Sequence, residues 1–167
     1  MPAFYQEWGY KAKRSLTAMV ITKPQPKALT FTGVDSVRDL CRTIGQFGIA
    51  KVLIVTDEPL VELGTLDTTL AWLTEHGVAH ATYDGVLPDP TQSVVDNGIA
   101  VLQQAQCDAV LAFGGGSSID AAKVIALAAA NDCQAEDCIG LKQCKLPALP
   151  LFAVPTTAGT GSEATMI

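Results

Sequence analysis

The chain has 167 residues, of which 49% are hydrophobic and 17% charged, and its formal net charge is −6. This length fits one domain that buries about two thirds of the surface its unfolded chain would expose. The acidic balance argues against nucleic acid as a partner, because phosphate binding needs clustered Lys and Arg. Charges interrupt the first 30 residues and every long apolar run, so we expect neither a secretory signal nor a membrane partner.

The amino-terminal part of the chain has the weaker patterns. Residues 1–16 show no period and are expected to form an arm, followed by one domain over residues 17–167. Residues 17–22 and 28–32 are rich in β-branched and apolar side chains and flank a Pro-containing turn, which predicts two strands of an edge ribbon.

From residue 35 onward the sequence predicts alternating helices and strands. Helices are expected from Asp35 or Ser36 to 45–48, over 66–75, from a Thr91 cap through Leu102, and from the glycine run to about 130. Strands are expected at 52–56, 79–83, 109–113 and 151–154, and a loop with at most one short helix at 131–145. This order indicates a Rossmann-like, doubly wound, mainly parallel α/β sheet.

The cysteines do not have the close pairing of a structural zinc site. Their number is odd, and the last three lie five and six positions apart: Cys41, Cys107, Cys133, Cys138 and Cys144. We interpret them as free thiols in a reducing cytoplasm. His76 and His80 are four apart but separated by Gly77, and we assign them structural roles rather than metal binding.

Three polar or glycine-rich segments follow predicted strands: residues 56–57, 114–120 and 155–163. In a doubly wound sheet, ligands bind outside the carboxyl ends of the strands. We therefore expect these segments to meet at one crevice.

The run Gly114, Gly115 and Gly116 is the most informative of the three. Without Cβ atoms these residues permit close approach to the main chain, and Ser117 is expected to open a helix whose free amides suit a diphosphate. A tight turn without a ligand is the alternative. The run is not G-x-G-x-x-G, and no Gly-Lys-Ser/Thr follows, which argues against a phosphate-loop kinase or ATPase.

Polar residues around this run complete the candidate site. Asp57 is placed to accept hydrogen bonds from a ribose and would repel a 2′-phosphate, which favours NAD over NADP; a solvated carboxylate is the alternative. Asp120 could face a cofactor or simply favour the positive helix end. The last loop offers hydroxyls suited to adenosine or phosphate, at Thr156, Thr157, Thr160 and Ser162.

The segments 55–57, 88–91, 114–120 and 155–163 together resemble the amino-terminal domain of the iron-containing (group III) alcohol dehydrogenases, which has a dehydroquinate synthase-like fold. The resemblance implies that Asp57 binds the ribose, that Gly115, Gly116 and Ser117 cradle the pyrophosphate and that Asp120 lies near the nicotinamide. Contacts to the adenine and phosphate side are implied for Thr156, Thr157, Thr160 and Thr165. Asp89 stands where the family often has Asn, a departure at a cofactor contact.

The resemblance also implies a helical second domain that binds Fe²⁺ or Zn²⁺ through one Asp and three His. Nothing in this chain matches those ligands, so we expect that domain to be absent and the chain alone to be inactive, with no catalytic or metal residues of its own. The parent would be an NAD-dependent alcohol dehydrogenase, cytoplasmic and homodimeric. The alternatives are a non-catalytic nucleotide-binding module from a truncated gene product, and a glycerol dehydrogenase or sugar-phosphate lyase of similar fold.

Overall fold

The computed structural model describes residues 28–138 and 144–164. The residues from Phe31 onward belong to one unit and those up to Thr30 to another, of which residues 28–30 are described. The predicted strand at 17–22 lies outside the described residues. The strand predicted at 28–32 is wrong: these residues pair with no described strand, and β-propensity alone does not make a strand without a partner backbone.

From residue 36 the predicted alternation of helices and strands is confirmed. The helices are α1 (Ser36–Gln46), α2 (Glu58–Glu62), α3 (Asp67–Glu75), α4 (Gln92–Ala105) and α5 (Gly116–Asn131). The strands are β1 (Lys51–Val55), β2 (Ala79–Tyr83), β3 (Ala109–Gly114) and β4 (Leu151–Pro155). Two short 3₁₀ turns cover Ala135–Cys138 and Ser162–Ala164.

The four strands form one parallel sheet in the order β2-β1-β3-β4. Val52 pairs with Ala109 and Val110 pairs with Leu151, so the two central strands are β1 and β3. Every residue of β3 is buried, as expected for a parallel strand covered on both faces. The predicted doubly wound α/β fold is confirmed.

Helices cover both faces of the sheet. Ile54 of β1 packs in a cluster with Ile44 of α1 and Leu73 of α3 on one face, whereas its neighbour Leu53 packs with Ile99 of α4 on the other. This alternation follows from the two-residue period of a strand. Each fully buried Leu or Ile contributes about 1.5–3 kcal/mol to folding. The two clusters therefore hold the strands firmly between the helices, and so fix where the strand ends lie.

Helix α2 was not predicted. It begins directly after Asp57, whose carboxylate accepts a hydrogen bond from the Leu60 amide at 3.1 Å, and it has Pro in its first turn. An Asp cap followed by an early Pro is a recognised helix start, but five residues are too few to show an apolar period. Helix α3 follows this short helix and begins one residue later than predicted.

Two predicted helix caps are only partly correct. Helix α4 does follow Thr91, but the Thr91 hydroxyl lies 2.9 Å from the Ser93 hydroxyl and caps no backbone amide. Asp35 occupies the cap position of α1 in a left-handed conformation, also without a side-chain bond to the helix. Within the described residues, no helix is long and apolar enough to cross a bilayer.

Candidate functional site

The three segments singled out in the sequence lie at one edge of the sheet. Strands β1, β3 and β4 are adjacent and parallel, so the residues after Val55, Gly114 and Pro155 leave the sheet on the same side. After β1 the chain turns to the face that carries α3, and after β3 it turns to the face that carries α5. Such a reversal opens a crevice between two neighbouring strands, where doubly wound proteins bind ligands.

The glycine run forms the turn between β3 and α5. Gly114 ends the strand with φ +154°, and a Cβ there would lie 2.5 Å from the Ser118 hydroxyl oxygen. Gly115 occupies the cap position and α5 begins at Gly116, one residue before the predicted Ser117. A glycine cap offers no side-chain acceptor, and the first amides of a helix have no carbonyl four residues back. The positive end of α5 therefore faces the crevice with amides available to an anion.

The hydroxyl-rich loop packs directly against these glycines. A Cβ on Gly115 would lie 3.1 Å from Thr157 Oγ1, and one on Gly116 would lie 3.2 Å from Ser162 Oγ and 3.4 Å from Thr160 Cβ. The Thr156 amide donates to the Gly114 carbonyl at 2.9 Å. Any side chain at the two glycines would occupy the space between turn and loop.

Asp120 joins the helix to the loop. Its carboxylate accepts hydrogen bonds from Ser162 Oγ and from Lys123 Nζ, each at 3.1 Å. Lys123 is only 6% exposed, whereas the Asp120 side chain is 57% exposed. The carboxylate thus positions the loop, a role that neither sequence interpretation of Asp120 included.

Lys123 is a residue that the sequence analysis missed. It lies three positions after Asp120, a spacing that brings two side chains together on a helix, and it is the basic residue of an otherwise Ala-rich stretch. Its buried ammonium is paired with the Asp120 carboxylate, so Lys123 helps to fix that carboxylate beside the loop.

The structure places the remaining predicted site residues in different positions relative to the glycine turn. Asp57 is half-buried at the end of β1 and caps α2 through one oxygen, and its carboxylate has capacity for further hydrogen bonds. Leu60, which Asp57 caps, lies 3.6 Å from the position of a Cβ on Gly114, so this segment meets the glycine turn. Asp89 lies in the bend after β2, with φ +52°. None of the contacts described above between the glycine turn and the threonine-rich loop involves Asp89. Thr165 lies outside the described residues.

All five cysteines are free thiols, as the sequence analysis interpreted them. The structure nevertheless brings Cys133, Cys138 and Cys144 together, with their sulfur atoms within 4.8 Å of one another. Their spacing along the chain does not indicate this cluster. It lies beyond the far end of α5 and not at the crevice.

Comparison with known proteins agrees with this geometry. The family model for iron-containing alcohol dehydrogenase matches residues 26–167. Alcohol dehydrogenase 4 of Schizosaccharomyces pombe is 36% identical over 90% of this chain, and the NAD-dependent methanol dehydrogenase of Bacillus methanolicus is 38% identical over 81%. The crystal structure of a 1,3-propanediol oxidoreductase superposes on 82% of the chain with a TM-score of 0.73 and 34% identity.

The matches cover only part of each relative. This chain spans 36% of the length of the S. pombe protein, 35% of the methanol dehydrogenase and 38% of the propanediol oxidoreductase chain. Sequence profile, relatives and fold agree over the same region of the chain. The chain belongs to the iron-containing alcohol dehydrogenase family.

Proposed function

We propose that this chain supplies the NAD-binding part of an iron-type alcohol dehydrogenase that converts an alcohol to an aldehyde or ketone. The observation that carries the proposal is the seat at the start of α5, where Gly115 caps the helix without a side-chain acceptor and the first amides lie beside the threonine-rich loop. NAD, when bound, accepts the hydride that the alcohol gives up. The residues described here bind and orient that cofactor.

The diphosphate is the group that fits the seat. Amides of Gly115, Gly116 and Ser117 and the positive end of α5 favour a doubly charged anion, and the absence of side chains permits contact with the main chain. Lys123 and Ser162 both donate to Asp120, and these bonds fix the loop beside the seat. By resemblance Asp120 would also lie toward the nicotinamide.

Asp57 and the loop would hold the two ends of the adenosine. The Asp57 carboxylate would accept hydrogen bonds from the ribose and repel a 2′-phosphate, so NAD is favoured over NADP. Thr156, Thr157 and Thr160 would provide hydroxyls on the adenine and phosphate side. We also propose cofactor contacts from Gly114 and Ser162, which lie in the glycine turn and the loop. For Asp89 and Thr165 the proposed cofactor contacts rest on the resemblance alone.

The residues of this chain do not fit the family's iron site. The chain has two His in total, and the described residues bring three or more possible ligands together only at Cys133, Cys138 and Cys144. We therefore propose that Fe²⁺ or Zn²⁺ is held outside this chain, and we assign no step of the reaction to it. Consequently, the chain alone should have no dehydrogenase activity.

Assembly and location are part of the same proposal. Leu63 is 75% exposed and Leu87 is 60% exposed, and both follow strands at the carboxyl edge, where a second domain would close the cleft. Exposed apolar surface of this kind promotes association, and we propose a cytoplasmic homodimer. Sedimentation that shows only monomer at high concentration would exclude the dimer.

Isothermal titration calorimetry of the chain with NAD⁺ and NADP⁺ tests the cofactor assignment. We expect weak one-to-one binding of NAD⁺, and affinity for NADP⁺ lower by about tenfold, which corresponds to about 1.4 kcal/mol. Equal affinity for both dinucleotides would contradict the role of Asp57. AMP that binds as tightly as NAD⁺ would favour a non-catalytic nucleotide-binding module.

A further inference from the structure

The three cysteines beyond α5 have a geometry that the proposed function does not use. Cys138 Sγ lies 3.8 Å from Cys133 Sγ and 3.7 Å from Cys144 Sγ, and all three sulfur atoms lie within 4.8 Å of one another. All three residues are half-buried.

Separate hydrogen bonds hold each part of this cluster in place. Asn131 at the end of α5 accepts from the amides of Lys145 and Leu146 at 2.9 and 2.8 Å, which places Cys144 beside the helix end. Asp96 of α4 accepts from the Ala135 amide at 2.9 Å and so anchors the 3₁₀ turn that ends in Cys138. The Cys133 amide donates to the carbonyl of Ala128 in α5 at 3.2 Å.

The two separations from Cys138 Sγ match those of a tetrahedral metal site, and the third pair of sulfur atoms lies within 4.8 Å. Zn–S bonds of about 2.3 Å at tetrahedral angles place two sulfur atoms about 3.8 Å apart. A disulfide, by contrast, would require two sulfur atoms to close to about 2.05 Å and would leave the third without a role. Three thiolates with one open position are a recognised environment for soft or borderline cations.

Burial favours the neutral form of two of these thiols. It raises the pKa of Cys133 and raises that of Cys138 to about 12, where neighbouring sulfur atoms add to the effect. A divalent cation held by three thiolates would displace the thiol protons to solvent. The bound site would carry one net negative charge.

We propose that Cys133, Cys138 and Cys144 form a binding site for Zn²⁺, with water as the fourth ligand. Helix α5 has 16 residues and so separates this cluster from the glycine turn by about 24 Å. At this distance the cluster takes no part in hydride transfer, and a bound cation would tie the end of α5 to the connection that leads to β4.

Cobalt substitution tests the proposal. The reduced 167-residue chain is titrated with Co²⁺, whose visible bands report tetrahedral geometry and whose near-ultraviolet bands report thiolate ligands, and then with Zn²⁺ as competitor. We expect one Co²⁺ per chain, displaced by Zn²⁺. Cys138→Ser and Cys144→Ser should each weaken binding about 100-fold or more, whereas Cys107→Ala, which removes a buried thiol elsewhere, should leave it unchanged.

Several results would overturn the proposal. One is a chain that binds no Co²⁺ after full reduction; another is a Cys144→Ser variant that binds as tightly as the unaltered chain. A third is mass spectrometry that finds a disulfide between two of the three cysteines and no cation binding once it is reduced. Circular dichroism of each variant separates loss of the site from loss of the fold.

Discussion

At Gly116 a single methyl group would press on the loop that borders the proposed diphosphate site. The added Cβ would lie 3.2 Å from Ser162 Oγ and 3.4 Å from Thr160 Cβ, so the loop must shift slightly to admit it. Alanine favours a helix by about 1 kcal/mol over glycine, which offsets this crowding. We expect Gly116→Ala to lower NAD⁺ affinity about tenfold by calorimetry with little change in melting temperature.

Gly48 provides the matched control. It has φ +75°, a Cβ added there would meet no atom within 4 Å, and it precedes β1 at the opposite edge of the sheet. Gly48→Ala should therefore cost about 1 kcal/mol of stability through backbone strain while NAD⁺ affinity stays the same. Equal loss of affinity in both variants would mean that the glycine turn is not the seat.

Asp57 has two roles that two substitutions separate. Asp57→Ala removes the cap of α2 and should cost about 0.5–2 kcal/mol, whereas Asn is as good a cap as Asp. Asp57→Asn should therefore retain stability in urea unfolding but bind NAD⁺ more weakly and discriminate less against NADP⁺. An Asn variant with unchanged dinucleotide preference would show that Asp57 is only a cap.

Among the elements, the start of β1 depends on a carboxylate from the start of β3. Asp108 accepts hydrogen bonds from the amides of Ala50 and Lys51, both at 2.9 Å. Asp108→Ala removes both, and we expect it to destabilise the chain by about 1–3 kcal/mol in urea unfolding. Because this contact lies at the amino edge of the sheet, NAD⁺ affinity should not change; a large change would contradict the placement of the cofactor.

The sequence predicted the elements that have long apolar patterns. Residues 109–113 were predicted as a strand and form nearly all of β3, because covered parallel strands show as apolar runs. The weaker pattern at 79–83 also forms a strand, β2, at the edge of the sheet. Helix α2 was not predicted because it is too short to show an apolar period. The strand predicted at 28–32 was wrong because β-propensity does not show whether a residue pairs with another strand.

Part of the candidate site could likewise be predicted from the sequence, and part could not. Chain order and strand ends sufficed to bring Gly114 and the threonine-rich loop to one edge. The pairing of Lys123 with Asp120 has the i, i+3 spacing of neighbours on a helix and could have been predicted. The bond from Ser162 to Asp120, which are 42 residues apart, and the convergence of the three cysteines depend on tertiary packing. No local pattern in the sequence predicts these two features.

For the whole molecule, the structure separates two sites along α5. The glycine turn lies at its first residue and the cysteine cluster just beyond its last, about 24 Å away. Sites so far apart and without shared partners act independently as a rule. We expect removal of Zn²⁺ by a chelator to lower the melting temperature while NAD⁺ affinity, measured by calorimetry, changes by less than about twofold. A larger change would mean that the two sites are coupled.

The central claim is that main-chain amides at the start of α5 hold the diphosphate of NAD. A titration of the ¹⁵N-labelled chain with NAD⁺, followed by amide chemical shifts in NMR, tests it most directly. The largest saturable shifts should fall on Gly115, Gly116 and Ser117, with smaller ones at Asp57 and Thr157. Saturable shifts confined to the amino edge of the sheet, around Gly48 and Asp108, would contradict it.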